Sequence, residues 1–473
     1  MGGHSATVST AAVSGGPTLG TGEGPVRGGW RLRLPFFYGW FVVGAAFVAL
    51  ALTYTVWYSF SVFYVALLEQ FGWSRASSAG VFSLFVIIYG VSGAAAGALT
   101  DRFGPQRVIA AGALILAAGM VACSRLTDLW QFYLFFGVVC AIGSSAAGWI
   151  PCVVTVSAWF SRRLGAALGI ASAGIGVGIL VLVPLTELLI NLSGWRTADL
   201  VTVGRVGCGV APIALLLLRG RPEEQGMQKD GRLPKSVDPP GGVGRPVSVS
   251  RVVDRDWAER EWTVGSAMRT GRYWLLFSTL VLNNIATQMI FVHQVAFLVD
   301  GGYDKLLAAS VVGLIGLFSI GTKIGWGWIS DRLGREVTYT LGVSTMTVAV
   351  ASLISTRFIP SPLLIYVFAL AFAMAYGVAT PLGPAVGADL FTGPRFGAIY
   401  GTIGMANGLG SALGAWFAGY VFDVTGSYFI AFGVAAASSL VSASAMWWVA
   451  PRKVRLVPGV ARKRQLGALM RRR

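Results

Sequence analysis

The sequence predicts an all-α membrane protein, with twelve transmembrane helices in two six-helix halves and both termini in the cytoplasm. Three observations predict it. First, 55% of the 473 residues are hydrophobic and only 12% are charged, about half the charge of an ordinary soluble domain. Apolar stretches long enough to span a bilayer recur from Phe36 to Ala450. Second, the basic residues crowd onto one side of the predicted spans, as the positive-inside rule requires. Third, the chain carries an internal repeat near an offset of 230 residues. A soluble enzyme of several domains is excluded. The 63 glycines, about twice the usual share, suit close helix packing in lipid.

The elements follow in order. Residues 1–34 are rich in Gly, Ser and Thr and read as a disordered cytoplasmic head. They lack the basic-then-hydrophobic order of a signal peptide, so the first span is expected to act as its own signal. The N-terminal six-helix bundle, 35–218, has spans at 37–66, 79–100, 107–124, 131–158, 164–190 and 200–218. Arg102, Arg107, Arg162 and Arg163 mark its cytoplasmic turns; Arg75, Arg125 and Arg196 mark the opposite side. Residues 219–272 carry eleven basic and eight acidic side chains with a Pro/Gly-rich stretch at 234–246. That composition builds no core and reads as a cytoplasmic linker. Part of 250–270 is compatible with a helix on the membrane surface, anchored by Trp257 and Trp262. The C-terminal bundle, 273–450, has spans at 273–299, 306–329, 338–356, 362–390, 397–422 and 428–450. Arg332, Arg335 and Arg395 lie in its cytoplasmic turns, Lys305 and Arg357 opposite. The tail, 451–473, adds nine basic residues that are expected to lie on anionic lipid headgroups.

In all, thirty of the 37 Lys and Arg fall on the side of the termini and five on the other, with Lys323 and Arg205 inside spans. This placement explains the net charge of +17 as membrane orientation and leaves no role for nucleic acid. Cys123, Cys140, Cys152 and Cys208 all sit within predicted spans at spacings of no metal motif and read as small buried hydrophobes.

The repeat sets Gly97, Asp101, Arg102 and Gly104 against Gly327, Asp331, Arg332 and Gly334, at the cytoplasmic ends of spans 2 and 8. Arg163, Gly165, Gly169, Gly176 and Gly178 match Arg395, Gly397, Gly401, Gly408 and Gly410 at an offset of 232. Duplicated halves of this kind are characteristic of secondary transporters. The two Gly-x-Leu/Ile-x-Asp-Arg-x-Gly elements suit a conformational latch. The glycines admit a neighbouring helix, the aspartates can accept from its N-terminal amides, and the arginines can reach carboxylates or headgroups. An ordinary charged turn at a membrane edge is the plainer alternative.

This motif resembles the signature of the major facilitator superfamily, over residues 36–450. Narrower runs resemble the monocarboxylate-porter and oxalate/formate-antiporter group: Tyr38, Gly39 and Trp40; Tyr58 to Phe63; Phe71 to Arg75; Trp159 to Gly169; His293 with Phe297 to Asp300; and Asp423 to Tyr428. That resemblance implies a carrier of small carboxylates at the plasma (inner) membrane, coupled to a proton or an exchanged anion, with no cofactor or metal.

Lys323 lies eight residues before Asp331, about 12 Å up the helix. A lysine at that depth costs about 2.5–3.5 kcal/mol on insertion scales and needs a cavity and a partner. No carboxylate in the predicted spans lies at a similar depth, which favours a substrate anion; a structural ion pair is the alternative. In animal carriers of the resembled group a basic residue, usually Arg, occupies this place. There an acidic residue lies one turn earlier and a lysine stands in span 1. Here those positions hold Ser319 and Tyr58. The second basic residue found in span 11 of oxalate-type antiporters is missing between Phe396 and Tyr420. One buried cation suits a monoanion.

His293 and Glu187 are the proton-coupling candidates, His293 equally suiting a helix-orienting hydrogen bond. Tyr54 and Tyr58 on span 1, Asn284 and Gln288 on span 7, Tyr376 on span 10 and Asn407 on span 11 are the other substrate-binding candidates. For each, a helix–helix hydrogen bond is the commoner use. The sequence thus favours proton-linked transport of lactate- or pyruvate-like acids by alternating access. A drug exporter on the same fold is the alternative, though the Gly-Pro pair usual in span 5 of such exporters is missing from Gly174 to Gly178. A non-transporting sensor is weaker. An enzyme is not expected, since no nucleophile–base pair or nucleotide loop stands out.

Overall fold

Helices set by hydrophobic length and punctuated by glycine and proline make up almost all of the chain. The computed structural model describes residues 2–3, 37–73, 75–222, 227–231 and 251–470. Most of the expected head, the Pro/Gly-rich stretch of the linker and the last three tail residues lie outside the described residues.

Twelve long helical segments occur among them: α1 (Gly39–Leu68), α2 (Arg75–Phe103), α3 (Pro105–Cys123), α4 (Leu129–Trp159), α5 (Leu164–Ser193), α6 (Trp195–Leu217), α7 (Gly271–Asp300), α8 (Lys305–Leu333), α9 (Arg335–Ser355), α10 (Pro362–Leu390), α11 (Phe396–Thr425) and α12 (Phe429–Val449). Eleven of them contain a stretch long and apolar enough to cross a membrane. The twelfth, α11, is 30 residues long but falls short in hydropathy, because seven glycines with Thr402, Asn407 and Ser411 dilute its apolar content.

Local chemistry explains the boundaries. Gly104 (φ 82°) and Gly334 (φ 111°) turn the chain sharply between α2 and α3 and between α8 and α9, a backbone state that favours glycine. Pro105 and Pro362 open α3 and α10, where a missing N–H is not needed. The Thr270 side chain caps α7 by accepting from Tyr273 N–H at 3.3 Å. Helix α6 begins at Trp195, five residues before the expected span, after the turn at Gly194 (φ 79°). Four helices are not regular throughout: α1 is interrupted at Ser59, α4 widens over Tyr133–Cys140 and is interrupted at Gly148, α5 widens over Gly178–Leu182, and α6 widens over Val206–Val210.

Two seams join the first six helices to the last six: α2 packs along α11, and α5 along α8. Backbones touch there. A methyl group on Gly97 would collide with the Gly397 carbonyl, and one on Gly327 with the Gly165 carbonyl. This close approach is the use the repeat makes of its glycines. Large apolar side chains such as Leu192, Leu216, Trp416 and Trp448 are exposed on the outside, as a lipid-facing surface requires.

Three expectations change. Residues 251–270 do not form one helix lying on a membrane. They make two short helices, Arg255–Glu259 and Val264–Met268, and Trp262 is buried with Trp257 against Phe391. Indole stacking on the end of α10 wins over an interfacial anchor. This part of the linker is therefore folded against the bundle, despite its polar composition. Cys208 is exposed rather than buried, because it lies on the outward face of α6.

Candidate binding pocket and latch

Lys323 stands in the middle of α8 with none of its surface exposed. Its neighbours on α5 and α10 are glycines: Gly169 faces the Lys323 carbonyl and Gly377 its amide. The chain thereby brings three backbones together around one cation. Its ammonium Nζ has no hydrogen-bond partner and no ion pair among the described residues. Ser319, one turn earlier, donates to its own helix at Gly316 O, 2.8 Å, and does not reach the lysine. What faces Nζ is the ring of Tyr376, with its centroid at 4.8 Å, an attractive cation–π arrangement.

From Tyr376 a column of phenols leads away. The hydroxyls of Tyr376 on α10 and Tyr58 on α1 are 3.4 Å apart. The Tyr58 and Tyr54 rings stack at 6.3 Å, and the Tyr54 hydroxyl meets that of Tyr89 on α2 at 2.9 Å. Each of the four side chains is half-buried. The result is a chain of phenol hydroxyls that ends at one unpaired buried cation, a chemistry suited to a small anion that phenol O–H groups also contact.

Asn284, Gln288, Asn407 and His293 gather elsewhere, on the seam between α7 and α11. Asn284 donates to Asn407 Oδ1 at 2.8 Å, and Gln288 faces Ser411 Oγ at 3.4 Å. His293 Nε2 lies 3.0 Å from the Ala415 carbonyl, and Nδ1 3.3 Å from the Tyr428 hydroxyl. A carbonyl only accepts, so the proton sits on Nε2 and Nδ1 accepts from Tyr428. The spacing of four puts Asn284 and Gln288 on one face of α7, while His293, five residues further on, lies off that face. Glu187 is exposed on α5 and makes no hydrogen bond or ion pair among the described residues. The structure does not bring it to Lys323 or to His293.

The two repeated motifs meet the starts of helices in the opposite half. Asp101, at the end of α2, accepts from Gly397 N–H at 2.9 Å and Ala398 N–H at 2.7 Å, at the start of α11. Asp331, at the end of α8, accepts from Gly165 N–H at 3.1 Å and Ala166 N–H at 3.0 Å, at the start of α5. In each case a carboxylate faces the positive end of a helix. Arg102 and Arg332 stack on Phe103 and Trp328 and pair with no acid among the described residues. The cation that does pair is Arg335. Only 1% exposed, it bridges Asp331 at 2.9 Å and Asp389 at 3.0 Å.

Comparison with known proteins gives this geometry its context. The description "Major Facilitator Superfamily" matches residues 46–386. The chain belongs to the major facilitator superfamily. Within it, the chain is 29% identical over 421 residues to "Monocarboxylate transporter 13" of Rattus norvegicus, covering 87% of each. It is 27% identical over 429 residues to "Monocarboxylate transporter 3" of the same species, covering 89% of this chain and 80% of the relative. Among solved structures, the human organic anion transporter MFSD10 (TETRAN) superposes with a TM-score of 0.64 at 15% identity, covering 86% of this chain and 99% of that one. FucP, a superfamily transporter in the outward conformation, gives 0.60 at 14% identity, covering 85% and 98%. The protein is a multi-pass membrane transporter related to monocarboxylate transporters, and not an enzyme. As in the superfamily at large, it has no strand-built domain among the described residues.

Sequence reasoning missed Tyr89, Arg335 and Asp389. Arg335 stood in a turn where any cation satisfies the charge bias. Asp389, an acid inside the predicted span 362–390, was the available signal. Tyr89 carried none, because its partner lies on another helix.

Proposed function

We propose that the protein carries small monocarboxylates of the lactate or pyruvate kind across the plasma (inner) membrane by alternating access, the simplest use of one cation buried between two helical bundles. The observation that carries this reading is the unpaired Lys323 ammonium beneath Tyr376. A buried cation without a fixed counterion calls for a mobile one. The names of its relatives, which are monocarboxylate transporters, agree. In this reading the substrate carboxylate takes Lys323 and the phenol of Tyr58 or Tyr376, and Tyr54 lines the approach. Asn284, Gln288 and Asn407 keep α7 and α11 in register. The latch face is cytoplasmic by its basic residues, so the latched form opens outward. The halves 35–218 and 273–450 then rock about Lys323.

Proton coupling is assigned to His293 rather than to Glu187. A proton on Nδ1 ends its role as acceptor for Tyr428 and alters the contact of α7 with the start of α12. The test is uptake of radiolabelled lactate and pyruvate into proteoliposomes, with and without an inward proton gradient. Wild type should accumulate label with the gradient, Lys323→Ala should not, and His293→Gln should keep exchange while losing gradient stimulation. Unchanged uptake by Lys323→Ala would sink the site. No uptake by folded wild type would turn the search to other acids or to exported solutes.

A further inference from the structure

The latch face carries a structure that neither transport site uses. A linker segment ahead of the two short helices and the chain just after α12 pair as a short antiparallel bridge between Val252 and Arg455. Leu456 N–H donates to Arg251 O at 2.7 Å, and Val253 N–H to Val454 O at 2.8 Å. Several contacts hold this bridge to the last six helices. Arg452 binds Glu336 at the start of α9 through its backbone N–H at 3.0 Å and its guanidinium at 3.3 Å. Trp257 donates to Leu390 O at 2.8 Å, and Gly459 packs on the Arg332 backbone.

One residue of the bridge reaches the first six helices. Arg251 donates through Nη1 to Ser161 O at 2.7 Å and Ser161 Oγ at 2.9 Å, in the α4–α5 turn. Its Nε donates at the same time to Leu456 O, 2.9 Å. Ser161 also donates its N–H to Asp230 at 3.1 Å, so the turn is gripped from two sides. Four residues further on, Gly165 begins the amide pair that holds Asp331. Burial lowers the affinity of the Arg251 guanidinium for its proton, and the negative charge of Asp389 opposes that effect.

We propose that the paired segments 251–254 and 454–456 form a clasp, with Arg251 as its tie, that holds the α5–α8 side of the latch shut. The clasp rests on the alternating-access reading, because it matters only if the halves part on this face. A planar guanidinium can bond two carbonyls at once, one on each side of the gap, and a lysine cannot reproduce that fork. Opening the face must therefore break the Arg251–Ser161 bonds or strip the tail segment from the bundle. Anything that draws the tail away releases the clasp.

The test uses the full chain in lipid nanodiscs, with the four native cysteines replaced and spin labels at Arg163→Cys and Arg395→Cys, two exposed turn positions on the latch face. Distances between labels report opening without reference to any substrate. Arg251→Ala should raise the long-distance population about tenfold, the expected effect of losing strong hydrogen bonds from a charged donor. Truncation after Lys453, which keeps the Arg452–Glu336 pair, should do the same without adding to it. Arg260→Ala, which removes a cation stacked on Trp262, should leave the distances alone. If Asp331→Asn lengthens the distances and Arg251→Ala and the truncation do not, the clasp is wrong and alternating access stands. If none of these variants moves the labels, the alternating-access reading fails with it.

Discussion

At Lys323 the side chain and its surroundings were legible to different degrees. The lysine stood out because a cation in an apolar run has few structural uses. Of its tyrosine column, Tyr54, Tyr58 and Tyr376 stood among the candidates, whereas Tyr89 and the contacts between the rings did not, since they join three helices whose rotation no single sequence reveals. Arg335 teaches the same lesson from the other side. In sequence it was one of many turn arginines, and in the structure it is a buried bridge between Asp331 and Asp389. Removing it leaves two buried carboxylates without their cation, a loss of about 3–5 kcal/mol for a pair broken from one side. Arg335→Ala should therefore lower the melting temperature in detergent sharply, whereas Arg332→Ala, which loses only a stack on exposed Trp328, should not. Equal melting of the two variants would contradict the bridge.

Among the elements, the helices were the readable part and their interruptions were not. Hydropathy located the spans because apolar length is what a bilayer selects. A period-based reading is blind to the wide turns in α4, α5 and α6, which change the hydrogen-bond spacing and not the apolar content. The linker was misjudged because composition weighs charge against apolar content, while two tryptophans with a docking surface suffice to order a segment. The two latches are equal in motif and unequal in support. Asp331 has Arg335 beside it, and the position equivalent to Arg335 in the first repeat is Pro105. Asp101 has only its two amides among the hydrogen bonds of the latch. Asp101→Asn should therefore loosen the α2–α11 seam more than Asp331→Asn loosens α5–α8. The comparison is the alkylation rate of a cysteine at Ala398 in the first variant and at the equivalent Ala166 in the second. A faster reaction at Ala166 would reverse the ranking.

For the molecule as a whole, charge bias, repeat and motif together located the fold, because each reflects a constraint that acts along the chain. The clasp escaped that reading because its bridge joins residues about 200 apart through backbone bonds, which carry no side-chain signature. The lone cation has an electrical consequence. In the proposed reading the acid anion cancels the Lys323 charge, which has no fixed carboxylate beside it among the described residues, and the proton on His293 restores one positive charge to the loaded form, so loaded and empty forms would carry the same charge. A full charge crossing the membrane field is worth about 2.3 kcal/mol per 100 mV, so both steps would feel part of that work while a full cycle moves no net charge. An imposed potassium-diffusion potential should then alter the rate of exchange of labelled for unlabelled acid and leave the final level of net accumulation unchanged. An accumulation level that followed the potential would mean that the acid crosses without its proton. Voltage would set the pace of such a carrier and leave its end point alone.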